Sequence, residues 1–300
     1  MTNKPAKPFL KWAGGKTQLI SDIEKSLPSD FNTANYTYIE PFIGSGAIMF
    51  WILNNYPNIK NAVINDINID LINTYKTIAS KPNEIISILE SLQNEFHELE
   101  GNEEKKKEYF YIKRELYNSR ISSVGDQSAL FIFLNRTCFN GLYRVNKKNY
   151  YNVPMGSYKR PMICDKENLL SVSQLLQKVE ILNGDYQDTL NYAKGKTLFY
   201  FDPPYKPLNE TSSFNSYAKD EFNDNEQLRL RDFCLKIDLL EYTWILSNSD
   251  VKVSDGANNY FDDLYAKFNI QRVEARRNIN SNSDKRGILT ELLITNQFNK

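Results

Sequence analysis

Nine residues, Thr197 to Tyr205 (TLFYFDPPY), constrain the fold more than any other stretch. Leu198, Phe199, Tyr200 and Phe201 favour a strand, and their lack of polar alternation predicts one buried on both faces. That strand cannot run on through Pro203 and Pro204, which lack backbone NH groups and hold φ fixed. Asp202 and Tyr205 are therefore expected at its carboxyl end, where ligands sit in an open α/β sheet. There the Asp202 carboxylate and the Pro203 carbonyl could each accept one hydrogen of an exocyclic nucleobase amine and free its lone pair. Tyr205 offers a flat face to an extruded base. The competing reading is a plain turn, with Asp202 capping and Tyr205 packing.

Several chemistries are excluded by count. His97 is the single histidine, which removes His-based triads and multi-His metal sites. Cys138, Cys164 and Cys234 form no CxxC pair, and none follows a proline, as the nucleophile of cytosine C5 methylation would. No metal is expected. With 37 basic and 37 acidic side chains the chain is neutral, so any nucleic-acid surface must be local. Its 300 residues suit one or two domains. The amino terminus lacks an apolar signal core, and no window reaches the roughly 18 apolar residues of a membrane span. A soluble, cytoplasmic protein without a membrane partner is expected.

Near the start, PFLKWAGGK puts the Gly14–Gly15 pair in a tight turn before a helix over Gln18–Leu27, an arrangement that suits an anion. A Walker A loop would need glycine at position 10, which is Leu10. Next come a strand (Tyr36–Glu40), a Gly44-Ser45-Gly46 turn, a helix from Ala47 and a second strand (Asn61–Ile64) leading to Asp66. Strand, GxG, helix, then an acid at the next strand end is a nucleoside-binding pattern. Met49 stands where the third glycine of a dinucleotide motif would be, which favours an adenosine derivative without pyrophosphate, such as S-adenosylmethionine. A later strand, Val179–Leu182, leads to Asp185, placed to bond an adenine amino group.

Between these halves the composition changes. Residues 83–104 carry seven acids and no Lys or Arg, read as a solvated helix face, and residues 105–160 carry twelve Lys or Arg against three acids, a local net of +9. Helical periodicity runs through Ile85, Leu89, Leu92 and Phe96, then Tyr109–Leu116 and Leu130–Leu134. Phe133–Pro161 reads as an irregular loop without a single acid, mixing Arg136, Arg144, Lys147 and Lys148 with Phe139, Tyr143, Tyr150 and Tyr158. Cations to position phosphates and aromatics to wedge into a stack are what a duplex reader needs. After Tyr205, residues 206–219 could form a cover, Asp224 and Gln227 a capping box, Trp244–Leu246 a strand, and Phe268–Glu274 with Leu289–Thr295 an edge hairpin around a basic loop.

PFLKWAGGK, EPFIGSG, NDIN, FLNRTCFNGLYRVN with NYYNVPMGSY, GDY and DPPY occur in an order that resembles the Dam-type (group alpha) DNA adenine N6-methyltransferases across nearly the whole chain. The resemblance implies a Rossmann-like α/β methyltransferase sheet with helices on both faces, made of residues 1–69 and 166–300. Residues 70–165 would be an inserted, mostly helical recognition domain. It implies that Trp12, Lys16, Glu40, Phe42, Gly44, Gly46, Asp66 and Asp185, with Asp202, line the S-adenosylmethionine site and release S-adenosylhomocysteine, while Asp202, Pro203, Pro204 and Tyr205 hold a flipped adenine. Lys11 would contact an outer guanine, and Phe139, Asn140, Leu142, Arg144, Pro154 and Tyr158 would read GATC in double-stranded DNA. Arg136, Lys147 and Lys148 join that interface from their composition alone. A bacterial or phage origin fits, and a cognate restriction endonuclease would act separately. N4-cytosine methylation and a noncatalytic DNA-binding scaffold are the alternatives.

Overall fold

The computed structural model describes residues 4–12, 16–205, 222–253, 258–276 and 288–297. The Gly14–Gly15 turn, the 206–219 cover and the basic tip of the carboxyl-terminal hairpin lie outside them. Seven strands, β1 (Tyr36–Glu40), β2 (Asn61–Asp66), β3 (Val179–Asn183), β4 (Lys196–Phe201), β5 (Thr243–Ser249), β6 (Asn269–Arg276) and β7 (Ile288–Thr295), form one sheet of order β3-β2-β1-β4-β5-β7-β6. β1 runs parallel to both β2 and β4, so the chain leaves it in opposite directions and the sheet has its topological switch point at the carboxyl ends of β1 and β4. β4 is buried from Thr197 to Phe201 and ends at the prolines, as its sequence predicts. The edge hairpin is present: β7 pairs antiparallel with both β5 and β6.

Contacts divide the chain into two compact units. The first comprises Met1–Gly15, Gly44–Asn55 and Asp66–Gly184. It contains α2 (Ala47–Asn55), α3 (Ile69–Ser80), α4 (Pro82–Glu98), α5 (Glu103–Ser119), α6 (Val124–Thr137) and α7 (Lys166–Leu176). α6 packs against α3, α4 and α5 and is buried over most of its length from Ser128 onward, as a central helix is. In α4, Ile85, Leu89, Leu92 and Phe96 are buried while Glu84, Glu95 and Glu98 face solvent, the expected amphipathic division. Phe133–Thr137 is the last part of α6 rather than loop, because the helix carries the apolar run onward and buries Asn135 and Thr137 as well.

The second unit comprises Lys16–Ile43, Tyr56–Asn65 and Asp185–Lys300. The expected first helix is shorter than its periodicity suggested, a 3-10 turn over Lys16–Leu19 and then α1 (Ile20–Lys25). α8 (Asp224–Leu239) is capped by Asn223, whose side chain accepts from the NH groups of Asn225 and Glu226, so the Asp224–Gln227 capping box does not form. Gln227 is buried instead and accepts a hydrogen bond from Asn248 at 3.2 Å. A short α9 (Tyr260–Leu264) precedes the hairpin. Among the described residues no helix is long and apolar enough to cross a membrane.

Asp250, just past β5, anchors the hairpin. Its Oδ2 accepts from Arg272 Nε on β6 at 3.0 Å and from Thr290 Oγ1 on β7 at 2.7 Å, and only 3% of Asp250 is exposed. Asp250→Ala strands a guanidinium and a hydroxyl, though Arg272 keeps Asp262. It is expected to cost about 2 kcal/mol in urea denaturation; a loss below about 0.5 kcal/mol would contradict this anchoring.

Candidate active site

At the end of β4 the side chains of the second unit converge. Asp202 Oδ1 lies 3.1 Å from Ser247 Oγ and 3.3 Å from Lys16 Nζ, which leaves Oδ2 without a hydrogen-bond partner among the described residues. Ser247 has one proton to give, so for it to reach Asp202 the Tyr200 hydroxyl, 3.1 Å away, must donate to Ser247. Lys16 is only 5% exposed, and its ammonium also faces Glu291 Oε2 at 3.7 Å and sits 4.2 Å above the Tyr205 ring. The Tyr205 hydroxyl donates to Glu291 Oε2 at 2.6 Å. Burial pushes the Asp202 carboxyl up to about 6, with Lys16 and Ser247 pulling the other way and Glu291 adding repulsion.

The same unit holds Glu40, Phe42 and Asp185. Glu40 ends β1, is buried, and accepts from the Tyr38 hydroxyl at 2.6 Å. Asn65 ties the chain that follows, donating to the Pro41 carbonyl and accepting from the Ile43 NH. Phe42 packs against Tyr186 and Phe222 with ring centroids 5.1 and 5.6 Å apart. Beside this aromatic group, Asp185 accepts from the NH of Gln187 and from Arg229 at 2.7 Å, a guanidinium held 4.9 Å over the Tyr186 ring. An aromatic wall next to a carboxylate has the chemistry to receive an adenine ring and its amino group.

In the first unit, Gly44 and Gly46 adopt φ of +47° and +73°. A Cβ on Gly44 would come 3.0 Å from the Trp12 indole, and one on Gly46 would come 2.7 Å from the Tyr75 hydroxyl. Both positions therefore require glycine. Asp66 accepts from the NH of Gly44 at 3.2 Å and of Asn68 at 2.9 Å, and burial raises its carboxyl above the ordinary range. A carboxylate aimed by backbone NH groups beside a glycine turn fits a pair of ribose hydroxyls. Trp12 stacks on Tyr143 at 5.8 Å.

The basic aromatic loop of this unit is braced by amides. Asn135 accepts from the Lys11 NH and donates to the carbonyls of Lys11 and Gly141; Asn118 brackets Tyr151 in the same way. Lys11 Nζ lies 3.9 Å over the Tyr158 ring. Phe139, Asn140, Lys147, Lys148 and Pro154 are exposed, with Asn140 at φ +55°, while Leu142 is half-buried. Arg136 Nε, at the end of α6, is bonded to the Phe9 carbonyl at 3.0 Å, and Arg144 Nε is bonded to Asn152 of the loop at 2.7 Å, so both cations have partners within the protein.

Sequence reasoning singled out Lys16, Asp202 and Tyr205 and missed Glu291, Ser247 and Asn135. Each carries a signal in hindsight: an acid within the apolar strand ILTELLIT, a polar SNS ending the strand TWILSNS, and an amide in an apolar helix. Among the described residues no group of three or more His, Cys, Asp or Glu side chains could hold a metal ion.

Residues 12–279 match a family model described as D12 class N6 adenine-specific DNA methyltransferase. The chain is similar to the Type II methyltransferase M.MjaIII of Methanocaldococcus jannaschii, 48% identical over 97% of this chain and 99% of the relative. It is 37% identical to the Type II methyltransferase M1.LlaDCHI of Lactococcus lactis subsp. cremoris, over 98% of this chain and 96% of the relative. A DNA adenine methylase of Haemophilus influenzae is 35% identical over 96% of this chain and 92% of its own length.

The Asp202 environment carries a stability cost with a defined sign. A carboxyl raised from 3.8 to about 6 binds its proton more tightly folded than unfolded, so this residue's contribution to stability falls as pH rises from about 4 to 6 and stays lower above. An asparagine at this position cannot ionise, so Asp202→Asn should gain roughly 2 kcal/mol on wild type between pH 4 and pH 8 in urea denaturation. A difference that does not change with pH would refute the assignment.

Proposed function

The chain belongs to the D12 class of N6 adenine-specific DNA methyltransferases, and from that premise we propose that it methylates adenine N6 within GATC in duplex DNA, turning the base out of the stack, with S-adenosylmethionine as donor. The observation that carries the reading is Asp202: a carboxylate at the sheet's switch point with one oxygen held by Ser247 and Lys16 and the other open to a donor. When bound, S-adenosylmethionine supplies a methyl group made electrophilic by its sulfonium. Asp202 and the Pro203 carbonyl each accept one amino hydrogen, drawing N6 toward tetrahedral geometry and freeing its lone pair. Pro203 and Pro204 keep the strand from running on past Asp202, and Tyr205 stacks on the adenine. Asp202 aligns the amine and stabilises positive charge on N6; a strong base is not needed.

Asp66 takes the ribose hydroxyls, Gly44 and Gly46 let the backbone approach the nucleoside, Asp185 and Phe42 receive its adenine, and Trp12, Lys16 and Glu40 complete the donor site. S-adenosylhomocysteine leaves as product. Residues 70–165 form the recognition domain and the remainder the catalytic one. Lys11, Phe139, Asn140, Leu142, Arg144, Pro154 and Tyr158 read bases, and Lys147 and Lys148 meet phosphates, with Arg136 supporting the loop. The enzyme works in the cytoplasm, and any restriction endonuclease that cuts the same site would act as a separate chain.

Incubation with random-sequence duplex DNA and S-adenosylmethionine, followed by mapping of modified bases, should yield N6-methyladenine in GATC. Modification of another sequence would refute the site, and N4-methylcytosine would refute the base. Asp202→Ala should lower transfer at least ~1,000-fold, a loss about as large as that of one preorganised transition-state contact, with DNA affinity within a few-fold. The wild-type rate should fall with decreasing pH through about 6 as Asp202 takes a proton; a flat rate from pH 5 to 8 would count against the role given to Asp202.

A further inference from the structure

Glu291 is an acid in the interior of a sheet. It lies on β7, opposite Ser249 of β5 on one side and Val273 of β6 on the other, and Leu292, Leu293 and Ile294 that follow it are buried. A half-buried carboxylate in such a strand carries a desolvation cost that its contacts must offset. Those contacts all point to the end of β4. Oε2 accepts the Tyr205 hydroxyl at 2.6 Å and faces Lys16 Nζ at 3.7 Å, while the same ammonium is 3.3 Å from Asp202 Oδ1.

We propose that Glu291 is a positioning residue for methyl transfer: it fixes the Tyr205 ring through the phenol hydroxyl and shares Lys16 with Asp202, so that Asp202 keeps an oxygen for the target amine. The inference rests on the reading of Asp202 as the acceptor of that amine. If Lys16 had no second acid it could close on both Asp202 oxygens as a tight pair, and the aspartate would be neutralised where it must accept a hydrogen. With two acids and one ammonium, the cluster holds a net negative charge directed at the place where N6 becomes positive. The groups that face Asp202 are Lys16 before α1, Ser247 on β5, Glu291 on β7 and Tyr205 beside it; Tyr38 of β1 and Tyr200 of β4 sense both Glu40 and Asp202. Of these, Glu291 adds repulsion to Asp202 and Lys16 relieves it.

The two parts of the role separate by substitution. Glu291→Gln keeps an acceptor for the Tyr205 hydroxyl and removes the charge. Lys16 then no longer divides its charge between Asp202 and Glu291 and the repulsion is gone, and both effects move Asp202 titration down. Carboxyl-carbon NMR of protein carrying labelled aspartate, with Asp202 assigned through Asp202→Asn, should show its midpoint fall by about one pH unit. The acid limb of the transfer rate should move with it. Glu291→Ala and Tyr205→Phe each break the anchoring bond, and each should lower kcat about tenfold while KM for duplex DNA changes less. Combined, they should cost no more than the worse single change.

An Asp202 midpoint unmoved in Glu291→Gln, or single effects that multiply in the double variant, would overturn the inference while wild-type activity left the reading of Asp202 standing. A wild type that methylates no adenine would overturn both. The NMR titration reads the Glu291–Asp202 coupling without turnover, and the near-isosteric glutamine keeps the test available where the alanine variant fails to fold.

Discussion

Burying the Lys16 ammonium obliges the fold to bring negative charge to it, and the acids that do so, Asp202 and Glu291, come from the end of β4 and the middle of β7. Between those strands lies β5, which supplies Ser247 as a third partner of the cluster. Three strands thus meet around one cation, and their register is tied to it. The β5–β7 pairing that sets Glu291 opposite Ser249 is itself braced by Asp250. The carboxyl-terminal hairpin, on this view, belongs to the chemistry of the site as well as to the edge of the sheet.

The arrangement exchanges stability for orientation. A carboxylate left in water would titrate near 3.8 and cost the fold nothing, but it would also be free to rotate and would meet its donor through solvent. Asp202 is largely desolvated, 24% exposed, and raised to about 6. Lys16 and Ser247 recover part of that cost and in doing so fix one oxygen. What remains is a carboxylate whose other oxygen has a set direction, which is worth more to a reaction limited by amine geometry than added basicity would be. The prolines are the covalent half of the same device, since an unbroken β4 would bury Asp202 in sheet hydrogen bonding.

Local patterns were legible in the sequence because local physics produces them. A buried parallel strand reads as an unbroken apolar run, as in Leu198–Phe201, and positive-φ turns read as Gly44 and Gly46. Helix α4 shows its buried face at every third or fourth residue. Contacts between residues far apart in the chain leave no such trace. Glu291 meets Tyr205 across 86 positions, and Asn135 meets Lys11 across 124. Asn223, Asp224 and Asn225 are all competent caps by type, and α8 uses Asn223, whose side chain accepts from the NH groups of Asn225 and Glu226. Likewise Asn135 and Arg136 suggest a surface loop by residue type, yet both lie in the last turn of α6, where Asn135 is buried.

Counting cations also overstated the charge that the loop can offer. Arg136, on α6, bonds the Phe9 carbonyl, Arg144 bonds Asn152 within the loop, and Arg160 pairs with Glu100 at 2.7 Å, which leaves Lys147, Lys148 and Lys159 exposed. The asparagines are not general polar decoration: Asn118, Asn135, Asn146 and Asn152 each satisfy backbone or side-chain groups that fix the loop's path. A loop that commits its amides and arginines to rigidity has few phosphate contacts to give. On the proposed reading, shape and base contacts, with Phe139, Asn140 and Pro154 the exposed ones, then carry a larger share of recognition than phosphate contacts do.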